Sequence, residues 1–111
     1  MDVSSLDRDG VTVIQVGGSM DATSVTDFDA EWKKCLDEGA TKVVVEMSAL
    51  EYISSAGLRG ILMLAKMSKA KGATLGFSGM KSMVADMFKL SGFQSILKLY
   101  PDLDTALTEL K

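Results

Sequence analysis

Two adjacent serines, Ser54 and Ser55, stand just before Gly57 and Leu58, where an apolar run gives way to residues with helical spacing. A helix that begins there has backbone N–H groups without intrahelical partners and a partial positive charge. A serine hydroxyl at such a position can cap the helix. It can equally accept a phosphoryl group, because the helix dipole favours the added negative charge. The residues themselves leave both roles open.

The helix that follows these serines has two apolar sets of residues. One set has the spacing of a core face and consists of Leu58, Ile61, Leu62 and Ala65. The other set lies on an adjoining face and consists of Gly60, Met63, Leu64 and Met67. Methionines beside small residues form adaptable contact surfaces. The pattern therefore predicts either one broad buried face or a partner-binding face beside Ser55.

A second group of polar side chains, Asp21-Ala22-Thr23-Ser24, precedes the first predicted helix. Aspartate, threonine and serine oxygens accept hydrogen bonds from the first N–H groups of a helix. Asp21 and Thr23 can therefore cap this helix or contact a partner. The sequence leaves both roles open for each of them.

Segments typical of strands and of helices alternate along the chain. The predicted strands cover residues 11–16, 42–47 and 73–78, with a short last strand within 93–99. The predicted helices cover residues 25–36, 55–71, 80–90 and 102–110. We expect Gly17, Gly18 and Ser19 to end the first strand and residues 48–57 to form a connection. This order indicates an α/β fold in one domain over residues 1–111. We expect a mixed, mostly parallel sheet of about four to five strands with about four helices.

Several classes of catalytic and metal site are excluded by composition. The chain has no histidine, so Ser-His and Cys-His nucleophile pairs and histidine-containing metal sites are impossible. Its single cysteine, Cys35, cannot form an intrachain disulfide or a cysteine-rich zinc cluster, and we expect it to pack on a helix. Neither a GxxxxGK[ST] phosphate loop nor a glycine-rich dinucleotide fingerprint is present. We predict no catalytic residue, no metal and no cofactor.

Charge and hydropathy bear on partners and location. The net charge is −3, from 12 basic and 15 acidic residues, which argues against a nucleic-acid partner. Residues 1–10 are acidic and polar, unlike a signal peptide. Charges interrupt every apolar stretch before the ~20 residues that a membrane helix needs. We therefore expect a cytoplasmic protein without direct membrane insertion, and the sequence does not settle its oligomeric state.

The segment from Val43 to Gly60 resembles the signature of STAS domains, the bacterial anti-sigma-factor antagonists. In that signature a hydrophobic strand ends in an acidic residue, an apolar residue and Ser or Thr, and Asp-Ser-Ser-Gly-Leu-Gly then opens a helix. Glu46-Met47-Ser48 matches the first part, and the residues from Ser54 to Arg59 match the second. Upstream, Gly18-Ser19-Met20-Asp21 looks like the family's Gly-x-Leu-Asp. The resemblance covers essentially the whole chain.

Position by position, the resemblance implies that Ser55 is the phosphoacceptor, with Ser54 as the alternative. This chain departs from the family pattern at four positions: Glu46 and Ser54, where Asp is common, Ala56, where a second serine is common, and Arg59, where the last glycine is common. Together with the adjoining face of the helix, this gives the predicted partner-binding residues, which are Asp21, Thr23, Ser54, Ser55, Ala56, Gly57, Arg59, Gly60, Met63 and Met67.

The implied function is that of a binding module and not of an enzyme. The unmodified protein would bind an anti-sigma factor that is often also a serine kinase, and would thereby release a sigma factor. Phosphorylation by that kinase would prevent binding, and a serine phosphatase of the PP2C type would restore it. ATP and magnesium would belong to the kinase. The alternative that the family offers is an accessory subunit of a membrane transport complex that is never phosphorylated.

Overall fold

A mixed sheet runs through the part of the chain that the structure describes, residues 1–110 of a computed structural model. Within it, five strands lie side by side in chain order: β1 (Asp2–Arg8), β2 (Val11–Met20), β3 (Lys42–Ile53), β4 (Thr74–Ser78) and β5 (Lys98–Tyr100). β1 pairs with β2 in the antiparallel sense, and each later pair of neighbours is parallel. The predicted α/β class with a mostly parallel sheet is confirmed.

Helices cover both faces of this sheet. The described residues form α1 (Val25–Asp37), α2 (Ser55–Ala70), α3 (Ser82–Leu90) and α4 (Leu103–Leu110), with a short 3-10 turn at Phe93–Ser95. Side chains of α1, α2 and α3 join one large apolar cluster with the sheet, whereas α4 packs on Val11, Val13 and Val44 of the opposite face. The prediction of about four helices is confirmed. Among residues 1–110, no helix has the length and apolar character needed to span a membrane.

The apolar spacing of α1 explains how it is fixed on the sheet. Phe28, Trp32, Cys35 and Leu36 are buried, as their recurrence along the helix predicts. The Trp32 ring N–H donates to the Asp29 carboxylate at 3.0 Å, which satisfies the polar atom of this buried side chain. The predicted packing role of Cys35 is confirmed by its burial. α1 is thereby fixed on the sheet beside α2, with which it shares one apolar cluster.

β1 is absent from the sequence-based prediction. Its residues Asp2–Arg8 are mostly polar, and its burial alternates only between half-buried and exposed positions. An edge strand pairs on one side only, so polar and charged side chains are tolerated along it. The strand is therefore held mainly by its antiparallel ladder with β2, which a hydrophobicity pattern does not reveal.

The prediction that Gly17, Gly18 and Ser19 end the first predicted strand is wrong, because that strand is β2 and it continues to Met20. The glycines instead mark two irregularities in the register with β3, between Gln15 and Gly17 and between Gly18 and Ser19. Gly18 has a φ of +84°, in the left-handed region that favours glycine. These bulges let the strand bend and continue to the edge where the site lies.

The predicted connection over residues 48–57 is also wrong in its first half, because β3 continues to Ile53. Met47, Leu50 and Ile53 are its buried residues in this part, three positions apart. A regular strand buries every second residue. The bulges opposite this segment change that period, so the alternation that identifies strands is lost. The last strand and α3 are displaced by smaller amounts, since β5 is at Lys98–Tyr100 and α3 begins at Ser82.

Candidate functional site

The ends of β2 and β3 bring the two polar turns of the chain to one edge of the sheet. Met20 and Ile53 are paired as the last residues of these parallel strands. The backbone N–H of Ser54 donates to the Met20 carbonyl oxygen at 2.9 Å. Asp21 and Ser54 therefore leave the sheet side by side, at the carboxyl ends of the strands where α/β proteins place their sites.

Ser54 is the N-cap of α2. Its backbone is extended, with φ of −93° and ψ of 176°, and its hydroxyl oxygen accepts a hydrogen bond from the Gly57 N–H at 3.3 Å. Its carbonyl oxygen accepts the first helical bond, from the Leu58 N–H at 2.9 Å. Both oxygens of Ser54 are thus engaged at the start of the helix, which is the arrangement expected of a capping serine.

Ser55 differs from Ser54 in its position in the helix, in its exposure and in the hydrogen bonding of its hydroxyl. It is the first residue of α2 and it is exposed. Within residues 1–110 its hydroxyl has no hydrogen-bond partner. Ala56 beside it is half-buried, and Arg59, one turn further along α2, is exposed. The arrangement presents one uncommitted hydroxyl to solvent at a helix N-terminus, where added negative charge is favoured.

Gly57 and Gly60 appear among the predicted partner-binding residues, and the structure corrects this because both are buried. A Cβ on Gly57 would lie 2.7 Å from the Met20 carbonyl oxygen and 2.7 Å from Ile53 Cγ1. A Cβ on Gly60 would lie 2.6 Å from Cγ2 of Val25 in α1. These glycines permit close packing of α2 on the strand ends and on α1.

The remaining apolar face of α2 is divided differently from the prediction. Leu64 belongs to the core and is fully buried, whereas Leu62 and Ala65, expected in the core, are only half-buried. Met63 and Met67 are 45% and 37% exposed. These methionines line a largely apolar groove of about 260 Å³ between α1 and α2. Of the four residues predicted on the partner face, only the two methionines are accessible.

Asp21 organises the turn that leads into α1. One of its carboxylate oxygens accepts hydrogen bonds from the Thr23 hydroxyl at 2.8 Å and from the N–H groups of Thr23 and Ser24, both at 3.1 Å. The Asp21 carbonyl oxygen accepts from the Val25 N–H at 2.8 Å. The hydrogen bond from Thr23 is the main cause that lowers the pKa of Asp21, followed by those from Ser24. Asp21 and Thr23 therefore close the turn before α1, whose N-cap is Ser24 and has no side-chain cap hydrogen bond.

Tyr52 is an exposed aromatic residue at this edge that the sequence reasoning did not select. It is 43% exposed, two residues before Ser54, and it pairs with Ser19 across the β2–β3 ladder. Next to it, Glu51 forms an ion pair with Lys81, just before α3. An aromatic residue two positions before a serine pair at a strand end is the signal that could have identified it, since tyrosine is enriched in binding surfaces.

Glu46 and Ser48 interact with each other. The carboxylate of Glu46 accepts from the Ser48 hydroxyl at 2.7 Å and from the Ser48 N–H at 3.1 Å. This pair stabilises the irregular part of β3 that leads to the serines. Within residues 1–110, the structure contains no group of three or more Cys, Asp or Glu residues placed to hold a metal ion.

The proteins that are similar to this chain agree with one another in family and in name. The model of the STAS domain family matches residues 3–106. The protein BtrV of Bordetella bronchiseptica, provisionally named an anti-sigma factor antagonist, is 31% identical over 103 residues, which cover 93% of this chain and 89% of BtrV. The anti-sigma-F factor antagonist RsfB of Mycobacterium tuberculosis is 26% identical over 111 residues, covering 98% of this chain and 88% of RsfB.

The fold is shared with solved structures as well. An anti-sigma factor antagonist from Mycobacterium paratuberculosis superposes with a TM-score of 0.91 and 24% identity, covering 98% of this chain and 92% of that chain. Almost the whole length of each chain is therefore matched, including the strand ends and helix that form the site. On the family match and the BtrV relative, the chain belongs to the STAS domain family.

Proposed function

We propose that this protein is an anti-sigma-factor antagonist that is switched off by phosphorylation of Ser55. The observation that carries the proposal is the difference between the two serines. The Ser54 hydroxyl caps α2, whereas the Ser55 hydroxyl is exposed and uncommitted. A kinase can reach Ser55 without breaking a hydrogen bond of the folded protein. The same reaction at Ser54 would disrupt the first turn of α2.

The relatives support the binding role. BtrV and RsfB carry the name of anti-sigma factor antagonists, and both match nearly the full chain. The exposed residues around Ser55 that can contact a partner are Tyr52, Arg59, Met63 and Met67. They combine aromatic, cationic and adaptable apolar side chains, which suit a protein–protein interface. We assign this surface to the anti-sigma factor.

The switch follows from charge. Phosphorylation adds about −1.5 to −2 charges at pH 7. Burying that charge against an apolar or acidic partner surface costs desolvation and repulsion. A loss of about 3 kcal/mol in binding free energy corresponds to a change of roughly 150-fold in affinity. One phosphoryl group on Ser55, at the end of α2 that this surface includes, is sufficient for such a change.

The partners then have defined roles in the cytoplasm. The anti-sigma factor is both the binding partner and the serine kinase; it binds ATP and magnesium, and it transfers the γ-phosphoryl group to the Ser55 hydroxyl with release of ADP. A serine phosphatase of the PP2C type removes the phosphoryl group and restores binding. The antagonist itself contributes the acceptor hydroxyl and the contact surface, with no catalytic group.

The experiment is a binding titration of the anti-sigma factor kinase from the same organism against three forms of the full chain. Ser55→Ala should bind as tightly as the unmodified protein, because the exposed hydroxyl has no partner to lose. Ser55→Asp should bind at least ten times more weakly, because it places a charge at the contact surface.

Ser82→Asp is the matched control, since Ser82 is the exposed first residue of α3 and receives the same charge at the same helical position. It should retain the affinity of the unmodified protein. Equal affinities for Ser55→Asp and Ser55→Ala would contradict the switch, as would equal weakening by Ser82→Asp. Copurification with a transporter ATPase, together with no binding to any anti-sigma factor, would favour the accessory subunit instead.

A further inference from the structure

Arg59 is the unpaired cation nearest along the helix to Ser55. It is exposed on α2, and within residues 1–110 its guanidinium has no hydrogen bond or ion pair. It follows Ser55 by four residues, a spacing that places the two side chains on the same face, about 6 Å apart along the axis. Arg59 is therefore the first cation along α2 with which a charge on Ser55 would interact.

Three carboxylates on the neighbouring segments are already engaged, and Asp27 in the first turn of α1 is exposed to solvent. Asp21 accepts from Thr23 and Ser24, Asp29 accepts from the Trp32 ring N–H at 3.0 Å, and Glu51 pairs with Lys81. None of these carboxylates is ion-paired with Arg59. The guanidinium therefore remains available in the unmodified protein and can face a partner.

We propose that Arg59 is a positioning residue for the modified state, because it forms an intrahelical ion pair with the phosphate on Ser55. An acidic group four residues before a cation is the favourable orientation of such a pair. A guanidinium also matches phosphate oxygens in a bidentate manner, which lysine cannot do. The inference rests on the proposed phosphorylation of Ser55 and adds a residue to it.

The consequence is that phosphorylation acts on the contact surface twice. It adds negative charge at Ser55, and it withdraws the Arg59 side chain from the surface into the pair. A partner that offers a carboxylate to Arg59 in the unmodified state loses that contact at the same time. The phosphorylated protein therefore differs from the unmodified protein at two side chains of the contact surface, Ser55 and Arg59.

The test is a titration of the full chain with phosphoserine installed at position 55 by genetic encoding, followed by phosphorus NMR. Serine phosphate has its second pKa near about 6. Because the Arg59 guanidinium stabilises the dianion, this pKa should be about 0.3 lower in the parent than in Arg59→Gln. Arg59→Lys should fall between the two, and 1 M salt should reduce the difference.

Lys66→Gln is the matched control. Lys66 is an exposed cation on the same face of α2, eleven residues and about 16 Å from Ser55, so its removal should leave the phosphate pKa unchanged. Equal phosphate pKa values in the parent and in Arg59→Gln would contradict the proposed ion pair. Equal changes in Arg59→Gln and Lys66→Gln would also contradict it, because they would show that the phosphate responds only to the overall positive charge of α2. Since phosphoserine is installed without a kinase, this result stands apart from whether any kinase modifies Ser55.

Discussion

Two hydroxyl-rich turns leave the same edge of the sheet, and the hydrogen bonding of their side chains differs. After β2, the Asp21 carboxylate, the Thr23 hydroxyl and two backbone N–H groups satisfy one another. After β3, Ser54 is engaged by the helix that it caps, whereas the Ser55 hydroxyl has no hydrogen-bond partner among residues 1–110. Residue types alone do not separate these turns, since both offer oxygens at the start of a helix. The local hydrogen bonds distinguish a turn whose side-chain oxygens are engaged from one that leaves a hydroxyl exposed to solvent.

Close packing underlies this difference. Gly57 lets the first turn of α2 approach the Met20 carbonyl oxygen, and the Ser54 N–H bonds to that same carbonyl group. Ser54 is thereby drawn inward as the cap, and Ser55 is left on the outside. The turn after β2 has no comparable constraint, and its own side chains close it. Four predictions test this comparison, in descending order of expected effect.

Gly57→Ala should have the largest effect, because its Cβ meets backbone that cannot easily move. We expect the free energy of unfolding to fall by about 2 kcal/mol, measured by urea denaturation. Gly60→Ala should cost less, because the atom it meets most closely is a methyl group of the Val25 side chain. A Gly57→Ala protein as stable as the parent would mean that the junction of α2 and β2 is looser than described.

Asp21→Ala should come next, because it leaves the N–H groups of Thr23 and Ser24 without their acceptor. We expect the melting temperature to fall by about 5 °C, measured by calorimetry. Asp27→Ala is the control, since Asp27 is exposed in the first turn of α1 and its carboxylate contributes only through the helix dipole. Equal losses for the two variants would remove the special role of the turn after β2.

The two serines should respond unequally to the same change. Ser54→Ala removes the cap of α2 and should lower the free energy of unfolding by about 1 kcal/mol. Ser55→Ala removes a hydroxyl without a partner and should change it by less than about 0.5 kcal/mol. Denaturation of both proteins under one set of conditions decides the matter. Comparable losses would show that Ser55 is also a structural serine.

The smallest effect concerns the ionisation of Asp21. Hydrogen bonds from Thr23 and Ser24 lower its pKa, so the ionised carboxylate stabilises the fold above its ordinary pKa. That contribution is lost as the pH falls through the ordinary value towards the lowered one. Thr23→Val removes the main donor and should raise the pKa of Asp21, measured by NMR titration. A pKa unchanged by Thr23→Val would assign the lowering to Ser24 and to the backbone N–H of residue 23.

The regular parts of the fold follow from the sequence. The helical recurrence of Phe28, Trp32, Cys35 and Leu36 predicts α1 and its buried face. The apolar run from Val43 to Met47 likewise predicts a central strand covered on both faces. What escapes prediction is irregular. The bulged half of β3 buries every third residue, and β1 is held by pairing and not by hydrophobic burial.

The site was predicted in part for a similar reason. The sequence locates the serines, the aspartate turn and the helix that follows them. It cannot show that Gly57 and Gly60 are buried, because they pack against Met20 and Val25, which are distant along the chain. Likewise, Leu64 and Leu62 exchange their expected burial because α2 packs on α1 as well as on the sheet.

The most direct test of the account is to map the phosphate after reaction of the full chain with its anti-sigma factor kinase and ATP. Tandem mass spectrometry should place the phosphate on Ser55 alone. It should be absent from Ser55→Ala and present in Ser54→Ala, which loses the cap but keeps the acceptor. Phosphate on Ser54, or modification that persists in Ser55→Ala, would contradict the assignment of the exposed serine as the switch.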